Sequence, residues 1–155
     1  MQNHHYQVKI KWTGNNGTGT SNYTAYSRDH ELVIADKPPI YCSADAVFRG
    51  DAGKHNPEEL FLYSLSSCHM LWYLHLCADA GIVVVSYTDE PTGTLSLADD
   101  SGKFTTATLN PIIVIESQGD EERAINLHNE AHAKCFIANS CNFPIDVKAK
   151  ILTEG

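Results

Sequence analysis

Residues 56–81 read NPEELFLYSLSSCHMLWYLHLCADAG, and they combine the signals that begin, continue and end a long helix. Asn56 is a favoured N-cap, Pro57 suits the first helical position, and the two glutamates that follow complement the positive end of a helix dipole. Gly81 supplies the left-handed conformation that commonly ends a helix. The stretch therefore predicts one long helix from residue 57 to residue 80.

The predicted helix is apolar on nearly every side, which is typical of a helix that is buried all round. Its large apolar residues are Leu60, Phe61, Leu62, Leu65, Met70, Leu71, Trp72, Leu74 and Leu76. Acidic and histidine residues interrupt them, and no run of about 18 apolar residues exists, so we do not expect a membrane span. A domain of 155 residues cannot easily enclose such a helix by itself, so we expect the helix to meet a second copy in a homodimer.

Strand-like patterns lie on both sides of this helix. Residues 6–12 alternate between apolar and polar, as a half-buried strand does. The other predicted strands cover residues 23–28 and 32–34 as a hairpin, residues 46–48 as a short run, and residues 82–87, 93–97, 104–115 and 145–151. A second helix is predicted over residues 120–138. This order of elements predicts a single α+β domain over residues 1–155, with antiparallel sheets.

Composition and charge exclude several classes of protein. With 43% hydrophobic and 19% charged residues the chain falls in the globular range, and 155 residues can form one core without disulfides. Eleven basic and 19 acidic residues give a net charge of −8, which argues against nucleic acid or an anionic membrane as a partner. The first residues lack the apolar core of a secretory signal, so we expect a cytoplasmic protein.

The five cysteines form no CxxC pair, which argues against a disulfide framework and against a four-cysteine zinc site. Cys68 lies within the apolar helix, where a thiolate is disfavoured unless a cation approaches from elsewhere in the fold. Arg28 and Arg49 are the candidates to supply that cation. Cys77 lies about 180° round the helix from Cys68, so we interpret it as a packing residue. His69 points about 100° away from Cys68 and is interpreted as structural rather than as a general base.

A different kind of site is indicated on the second predicted helix, where His128, His132 and Cys135 share one face. These residue types bind zinc, and their spacing is tolerable for a metal site, but no fourth ligand is evident. A metal-binding module therefore stands as an alternative function.

Three segments together resemble the OsmC/Ohr family of thiol-dependent hydroperoxide reductases. They are NPEELF at residues 56–61, LSSCH at residues 65–69 and AHAKC at residues 131–135, with a closing strand after them. The resemblance covers nearly the whole chain, and an NPEEL motif that precedes a helical cysteine in this way is specific. It implies an OsmC/Ohr-like fold, in which antiparallel sheets wrap around a long buried central helix in an intertwined homodimer.

The resemblance also implies an activity and a set of catalytic residues. Cys68 matches the cysteine that attacks the peroxide and becomes a sulfenic acid, and Cys135 matches the cysteine that resolves it as a disulfide. Glu58 matches the glutamate that holds an arginine against the thiolate. The reaction converts an organic hydroperoxide of the fatty-acid type to its alcohol. No bound cofactor is implied, and a dihydrolipoyl group on a lipoylated partner protein is the expected reductant.

The activating arginine is left open between two positions. Arg28 lies in SRDH, which echoes the arginine turn of one branch of the family, and Arg49 lies in VFRG, which resembles the arginine segment of the other. We prefer Arg49. Glu58 lies about 15 Å from Cys68 along an unbroken helix, so the catalytic groups must converge in another way, for example across a dimer interface.

The resolving cysteine is also left open. A proline usually follows the second cysteine in this family, but Phe136 stands there, and Cys141 lies six residues beyond Cys135. Either thiol is therefore a candidate for the disulfide with Cys68. The candidates for the apolar mouth through which a hydroperoxide enters are Trp72, Phe48 and Phe136.

One further alternative belongs to a different class of function, a non-catalytic dimeric stress or binding protein whose cysteines only pack. The rate at which Cys68 is alkylated below about pH 7 separates this alternative from the peroxidase. A peroxidatic thiol reacts quickly under those conditions, whereas a packing thiol does not.

Overall fold

The computed structural model describes residues 2–99, 101–116 and 118–154. Its helices and strands follow one another in an α+β arrangement, which confirms the predicted fold class. The chain divides into two compact units, one that ends at Leu60 and one that begins at Phe61. The single domain over residues 1–155 stays a prediction.

The N-terminal unit is built on the strands β1 (Lys9–Trp12), β2 (His30–Val33) and β3 (Ile40–Cys42). They are antiparallel and adjacent in this order. The alternating stretch at residues 6–12 thus forms a strand over its second half. Its side chains are not half-buried within this chain, since Ile10 is 67% exposed.

The predicted strand at residues 23–28 is wrong. This segment lies in the loop between β1 and β2, where contacts within the loop satisfy its backbone. Ser27 N–H donates to Gly14 O at 2.9 Å, and the indole N–H of Trp12 donates to Ser27 O at 2.9 Å. Trp12 also packs edge-on against Tyr26, with 5.8 Å between the ring centroids. These contacts override the strand propensity of the segment, and β2 pairs directly with β1.

The predicted run at residues 46–48 is a 3₁₀ turn rather than a strand. Asp45 caps this turn, because its Oδ1 accepts the N–H of Val47 at 2.9 Å. Such a local side-chain bond competes with strand pairing. Arg49 ends the turn in the left-handed conformation, with a φ of 66°.

The long helix, α1 (Pro57–Asp79), begins and ends within one residue of its predicted bounds. A reciprocal pair of bonds caps its N-terminus. Glu59 N–H donates to Asn56 Oδ1 at 2.8 Å, and Asn56 N–H donates to Glu59 Oε2 at 3.3 Å. Gly81 has a φ of 73°, which is the predicted left-handed stop. None of the helices in the described part of the chain has the length and hydropathy needed to cross a membrane.

The surface of α1 is buried along one face rather than all round. The buried residues recur every three or four positions, and they are Leu65, His69, Tyr73, Leu76 and Cys77. Leu71 lies on the opposite side and is 63% exposed. Burial on every side, which the composition of the helix predicts, is therefore not reached within a single chain.

The strands of the C-terminal unit are β4 (Val84–Thr88), β5 (Thr92–Ala98), β6 (Ser101–Leu109), β7 (Ile112–Ile115), β8 (Ile145–Val147) and β9 (Lys150–Thr153). One sheet has the order β4-β7-β9 and another has the order β5-β6-β8. Each sheet combines an antiparallel pair with a parallel pair, β7 with β9 and β6 with β8. The parallel pairs are absent from the sequence-based prediction, which has antiparallel sheets.

The predicted strand over residues 104–115 is divided into β6 and β7, because Pro111 has no N–H with which to continue the ladder. The predicted strand over residues 145–151 is likewise divided, into β8 and β9, and this break lies beside the break between β6 and β7. Lys148, between β8 and β9, donates its N–H to Leu109 O at 2.8 Å. The two segments thus pass from one sheet to the other side by side.

The second helix, α2 (Glu121–Lys134), is shorter than predicted, because Cys135 ends it in an extended conformation and Ala138–Ser140 forms a separate 3₁₀ turn. One core cluster joins α1 to α2 and to β7, through Tyr73, Leu76, Cys77, Ile113, Ile115, Ala124 and Ala131. A second cluster joins α1 to β6 and to the end of α2, through Leu65, Ala107, Leu109 and Cys135.

Candidate active site

Cys68 of α1 and Cys135 at the end of α2 meet in the second core cluster. Cys68 packs against the cluster that contains Leu65 and Cys135, and its thiol lies near enough to influence the Cys135 thiol electrostatically. Cys135 is fully buried, whereas Cys68 is half-buried. A reagent from solvent therefore reaches Cys68 before it reaches Cys135.

The surroundings of Cys135 keep its thiol protonated. Burial raises the pKa of Cys135 to about 11, and a 3.4 Å hydrogen bond from Ala138 N–H to its Sγ opposes the rise only in part. The backbone N–H of Cys135 donates to His132 O at 3.2 Å, which holds the residue at the helix end. At neutral pH Cys135 is a thiol, so it is unsuited to make the first attack on an electrophile.

An apolar cavity of about 360 Å³ opens beside Cys68, and its lining residues are Cys68, Leu71, Trp72, His75 and Phe136. The rings of Trp72 and Phe136 meet edge to face, with 5.6 Å between their centroids. Two of the aromatic residues predicted for the mouth therefore lie at this cavity. Phe48 lies in the 3₁₀ turn of the N-terminal unit, and its place in the mouth stays a prediction.

A second cavity, of about 440 Å³, belongs to the N-terminal unit, and it is lined mainly by β1, β2 and the start of α1. Apolar side chains such as Ile10, Leu32 and Leu60 dominate its walls, and no cysteine is among the residues that line it. This cavity offers apolar surface without a thiol, so the cavity beside Cys68 is the candidate reaction site.

The two candidate arginines differ in how firmly they are held. The Arg28 guanidinium donates to Tyr26 O at 2.7 Å and to Tyr23 O at 2.8 Å, and it stacks over both tyrosine rings at 4.3 and 4.4 Å. Arg49 is exposed, and its guanidinium lies 6.0 Å from the Tyr23 ring. Arg28 is thus committed to local contacts, whereas the Arg49 side chain is free to turn toward another group.

Glu58 lies in the first turn of α1, as predicted. Within the described residues it forms no ion pair with Arg28 or Arg49, so the structure does not bring the predicted glutamate and arginine together. The roles of Glu58, Arg28 and Arg49 stay predictions.

Cys141 occupies a different position from Cys135. Its thiol donates to Ile137 O at 3.2 Å, while Cys135 Sγ accepts the N–H of Ala138. The oxygen of Ile137 and the N–H of Ala138 belong to the same peptide group and point in opposite directions. The sulfurs of Cys141 and Cys135 therefore lie on opposite sides of that peptide group. Since the Cys68 thiol interacts with Cys135, the geometry favours Cys135 over Cys141 as the partner of Cys68.

A pair of histidines that the sequence did not connect lies between the two helices. His69 Nε2 and His128 Nδ1 share a hydrogen bond of 2.9 Å, and both residues are buried. Burial lowers the pKa of His69 to about 4 and that of His128 to about 3, so both rings are neutral. The structural interpretation of His69 fits this contact, but no sequence signal indicates that the two rings meet.

The proposed zinc-binding face of α2 is not formed. His128 turns toward His69 rather than toward Cys135. In residues 2–99, 101–116 and 118–154, no group of three or more histidine, cysteine or acidic side chains is placed to hold a metal ion.

Comparison with known proteins identifies a related family. A family model described as OsmC-like protein matches residues 50–150. No curated protein sequence matches the chain.

Several solved structures share its fold. An OsmC-like protein of unknown function from Vibrio cholerae is 28% identical, with a TM-score of 0.84 over 96% of this chain and 99% of its own. An organic hydroperoxide resistance protein from Elizabethkingia anophelis is 17% identical, with a TM-score of 0.68 over 99% of this chain and 100% of its own. An organic hydroperoxide resistance protein OsmC from Legionella pneumophila is 18% identical, with a TM-score of 0.65 over 97% of this chain and 99% of its own. The α+β fold described above is the fold of these proteins.

Proposed function

This chain belongs to the OsmC-like family, and on that premise we propose that it is a thiol peroxidase that reduces organic hydroperoxides to alcohols. The observation that carries the proposal is that a half-buried thiol, Cys68, lines an apolar cavity and packs against the core cluster that contains the buried thiol of Cys135. Two proteins of the same fold are named organic hydroperoxide resistance proteins, which supports the substrate class.

The reaction has two steps in this proposal. The Cys68 thiolate attacks the terminal oxygen of the hydroperoxide, so that an S–O bond forms and the O–O bond breaks. The alkoxide that leaves takes a proton and becomes the alcohol, and Cys68 becomes a sulfenic acid. Cys135 then attacks the Cys68 sulfur, the S–S bond forms, and the sulfenic hydroxyl leaves as water with the proton of Cys135.

Arg49 is the arginine that stabilises the Cys68 thiolate in this proposal. Its side chain is exposed and makes no hydrogen bond among the described residues, whereas the Arg28 guanidinium is bound to two carbonyl oxygens. Glu58 orients the guanidinium. A thiol in apolar surroundings ionises only when a cation stabilises its thiolate, and the guanidinium would provide that charge-assisted contact.

An external dithiol regenerates the enzyme, and a dihydrolipoyl group on a partner protein is the proposed donor. Because Cys135 is fully buried, the reductant must attack the disulfide at the Cys68 sulfur, from the side of the cavity. The walls formed by Leu71, Trp72 and Phe136 suit the short apolar chain of a lipoyl arm. The same walls suit the organic part of a hydroperoxide.

The active form in this proposal is a homodimer. Large apolar side chains are exposed in the single chain on β1, at Ile10, and on α1, at Leu71. Exposed large apolar side chains of this kind are typical of an interface between subunits. In such a dimer the arginine or the glutamate that serves Cys68 comes from the second subunit.

The proposal is tested by measuring the consumption of cumene hydroperoxide, linoleic acid hydroperoxide and hydrogen peroxide with dihydrolipoamide as donor. We expect the two organic peroxides to be reduced faster, and Cys68→Ser to lose at least about a hundredfold in rate. Cys77→Ser is the matched control, because Cys77 is also a cysteine of α1 but packs in the other core cluster. If no peroxide is consumed and Cys68 resists alkylation below pH 7, the non-catalytic binding protein is the correct interpretation.

A further inference from the structure

The hydrogen-bonded histidines described above, His69 and His128, form a fixed contact between α1 and α2. Their rings are nearly coplanar, with 7° between the planes and 5.3 Å between the centroids, so the 2.9 Å bond is well directed. Tyr73, one turn further along α1, stacks on the face of His128 at 3.9 Å with 11° between the planes. His128 is thus held at its edge and at its face by two residues of α1. We call His69 and His128 the histidine pair.

The histidine pair is costly to bury, which is unexpected for two residues that serve only to fill a core. The largest influence on both rings is burial, which removes them from water and holds them neutral. Besides the shared bond, His69 Nδ1 and His128 Nε2 are buried without a hydrogen-bond partner in the described structure. Apolar side chains of similar size would fill the same space without this cost. The histidine pair therefore serves a purpose other than filling the core, and its hydrogen bond indicates which.

A directed bond fixes the rotation and register of a helix in a way that apolar contacts do not. Residue positions on a helix differ by about 100° and 1.5 Å, so a slip of α2 by one residue would break the histidine bond. The fully buried apolar residues that α2 contributes to the adjoining core cluster are Ala124 and Ala131, whose small, non-directional side chains specify the register of the helix less strictly. Buried polar contacts have this registry role in other helical assemblies.

The placement of the histidine pair connects this register to the two thiols. His69 directly follows Cys68 on α1, and His128 lies two turns before Cys135, which ends α2. The position of Cys135 therefore follows any rotation or shift of α2 relative to α1. Cys135 must reach the Cys68 sulfur for the disulfide to form, whereas the attack of Cys68 on a peroxide does not use α2.

We propose that the histidine pair positions Cys135 against Cys68 and thereby sets the rate of disulfide formation, but not the rate at which Cys68 reacts with peroxide. Its kinetic consequence rests on the proposed peroxidase function. The step concerned is the attack of the Cys135 thiol on the Cys68 sulfenic acid, which yields the disulfide and one water. Both histidines are positioning residues, since neither touches the reacting sulfur atoms in this proposal.

Asparagine and glutamine variants separate the hydrogen bond from the ring. The amide of Asn reaches the place of Nδ1, and the amide of Gln reaches the place of Nε2. Because His128 uses Nδ1 and His69 uses Nε2, His128→Asn and His69→Gln are able to keep the bond. His128→Gln and His69→Asn are their matched controls, which have the same functional group in the wrong place.

Two rates are measured for each variant after one addition of cumene hydroperoxide. Sulfenic acid formation is followed by trapping with dimedone, and the Cys68–Cys135 disulfide is followed by mass spectrometry without reduction. We expect His128→Gln and His69→Asn to slow disulfide formation by about 10- to 100-fold, the loss that a small misplacement causes. Sulfenic acid formation should stay within about twofold, and His128→Asn and His69→Gln should restore most of the disulfide rate.

A second arm uses diamide, which oxidises two neighbouring thiols to a disulfide as it is itself reduced to the hydrazine. It requires no peroxidase activity, so failure of the proposed function leaves the positioning test intact. We expect the same order of variants in this arm. Thermal melting curves, recorded by circular dichroism, show which variants are folded at the assay temperature. The variants at position 69 and those at position 128 provide two independent comparisons.

The inference is overturned if the Asn and Gln variants at one position form the disulfide at equal rates. It is also overturned if sulfenic acid formation and disulfide formation fall by the same factor, because a merely structural role predicts that pattern. Agreement between the melting temperatures of the matched variants, together with different disulfide rates, supports it.

Discussion

The half-buried thiol of Cys68, on α1, packs against the core cluster that contains the fully buried thiol of Cys135, at the end of α2. The two thiols are therefore unequal in access although they are adjacent. Burial raises the pKa of Cys135 to about 11, which leaves the first chemical step to Cys68. The order of events in the proposed reaction follows from this difference.

Cys135→Ser should permit one reaction with peroxide and then stop. Cys68 would become a sulfenic acid that lacks a partner, and a second peroxide molecule would oxidise it further to the sulfinic acid. Mass spectrometry of the treated variant should show a Cys68 sulfinic acid and a loss of turnover. Cys141→Ser is the matched control and should turn over normally. Normal turnover by Cys135→Ser would instead identify Cys141 as the resolving thiol.

Phe136→Ala should change the selectivity among peroxides rather than the reaction itself. The Phe136 ring is 67% exposed and packs edge-on against Trp72 at the cavity beside Cys68, so its loss removes apolar surface that an organic substrate would contact. We expect kcat/KM for cumene hydroperoxide to fall roughly tenfold, with hydrogen peroxide little affected. Leu97→Ala, an exposed apolar residue of β5, serves as control. Equal losses for both peroxides would contradict a role in selectivity.

Arg49→Ala and Arg28→Ala should have different effects. Arg49 is exposed, so its removal should slow the alkylation of Cys68 by iodoacetamide below pH 7 and leave the melting temperature unchanged. The Arg28 guanidinium binds two carbonyl oxygens and two rings, so its removal should destabilise the protein by about 1–2 kcal/mol. If neither variant loses peroxidase rate, arginine has no part in the mechanism.

Local signals in the sequence were sufficient to predict α1. Its bounds depend on Asn56, Glu59 and Gly81, each of which acts on residues within one turn of itself. The strand predicted over residues 23–28 is wrong because the structure of this segment depends on Gly14 and other distant partners. The parallel pairing of β6 with β8 and of β7 with β9 is non-local in the same way, and strand alternation carries no information about it.

The site was predictable only in part, for a related reason. The position of Cys68 on the helix could be read from the sequence, but its nearness to Cys135 came from the family resemblance and not from spacing. The sequence does not predict the bond between His69 and His128, because no pattern within either helix specifies which faces of α1 and α2 meet. Such a contact becomes visible only when both helices are placed.

The histidine pair should make the protein less stable as the pH falls from about 6.5 toward 4. In the folded chain burial lowers the pKa of His69 to about 4 and that of His128 to about 3, whereas a histidine in the unfolded chain titrates near 6.5. The unfolded chain therefore binds more protons in this range. Stability is fully present above about pH 6.5 and falls by up to about 1.4 kcal/mol per pH unit for each histidine below it.

Urea denaturation between pH 7 and pH 5 measures this effect above the range in which carboxylates ordinarily titrate. The pKa of Asp29, which is paired with Lys54 at 2.6 Å, is lowered by that hydrogen bond, so its stabilising contribution is lost only below about pH 4. The double variant His69→Gln/His128→Asn should show a flatter pH dependence, while His4→Gln, an exposed histidine, should retain that of the wild type. A wild-type stability that does not change between pH 6.5 and pH 5 would mean that the histidine pair is already protonated, or not buried, in solution.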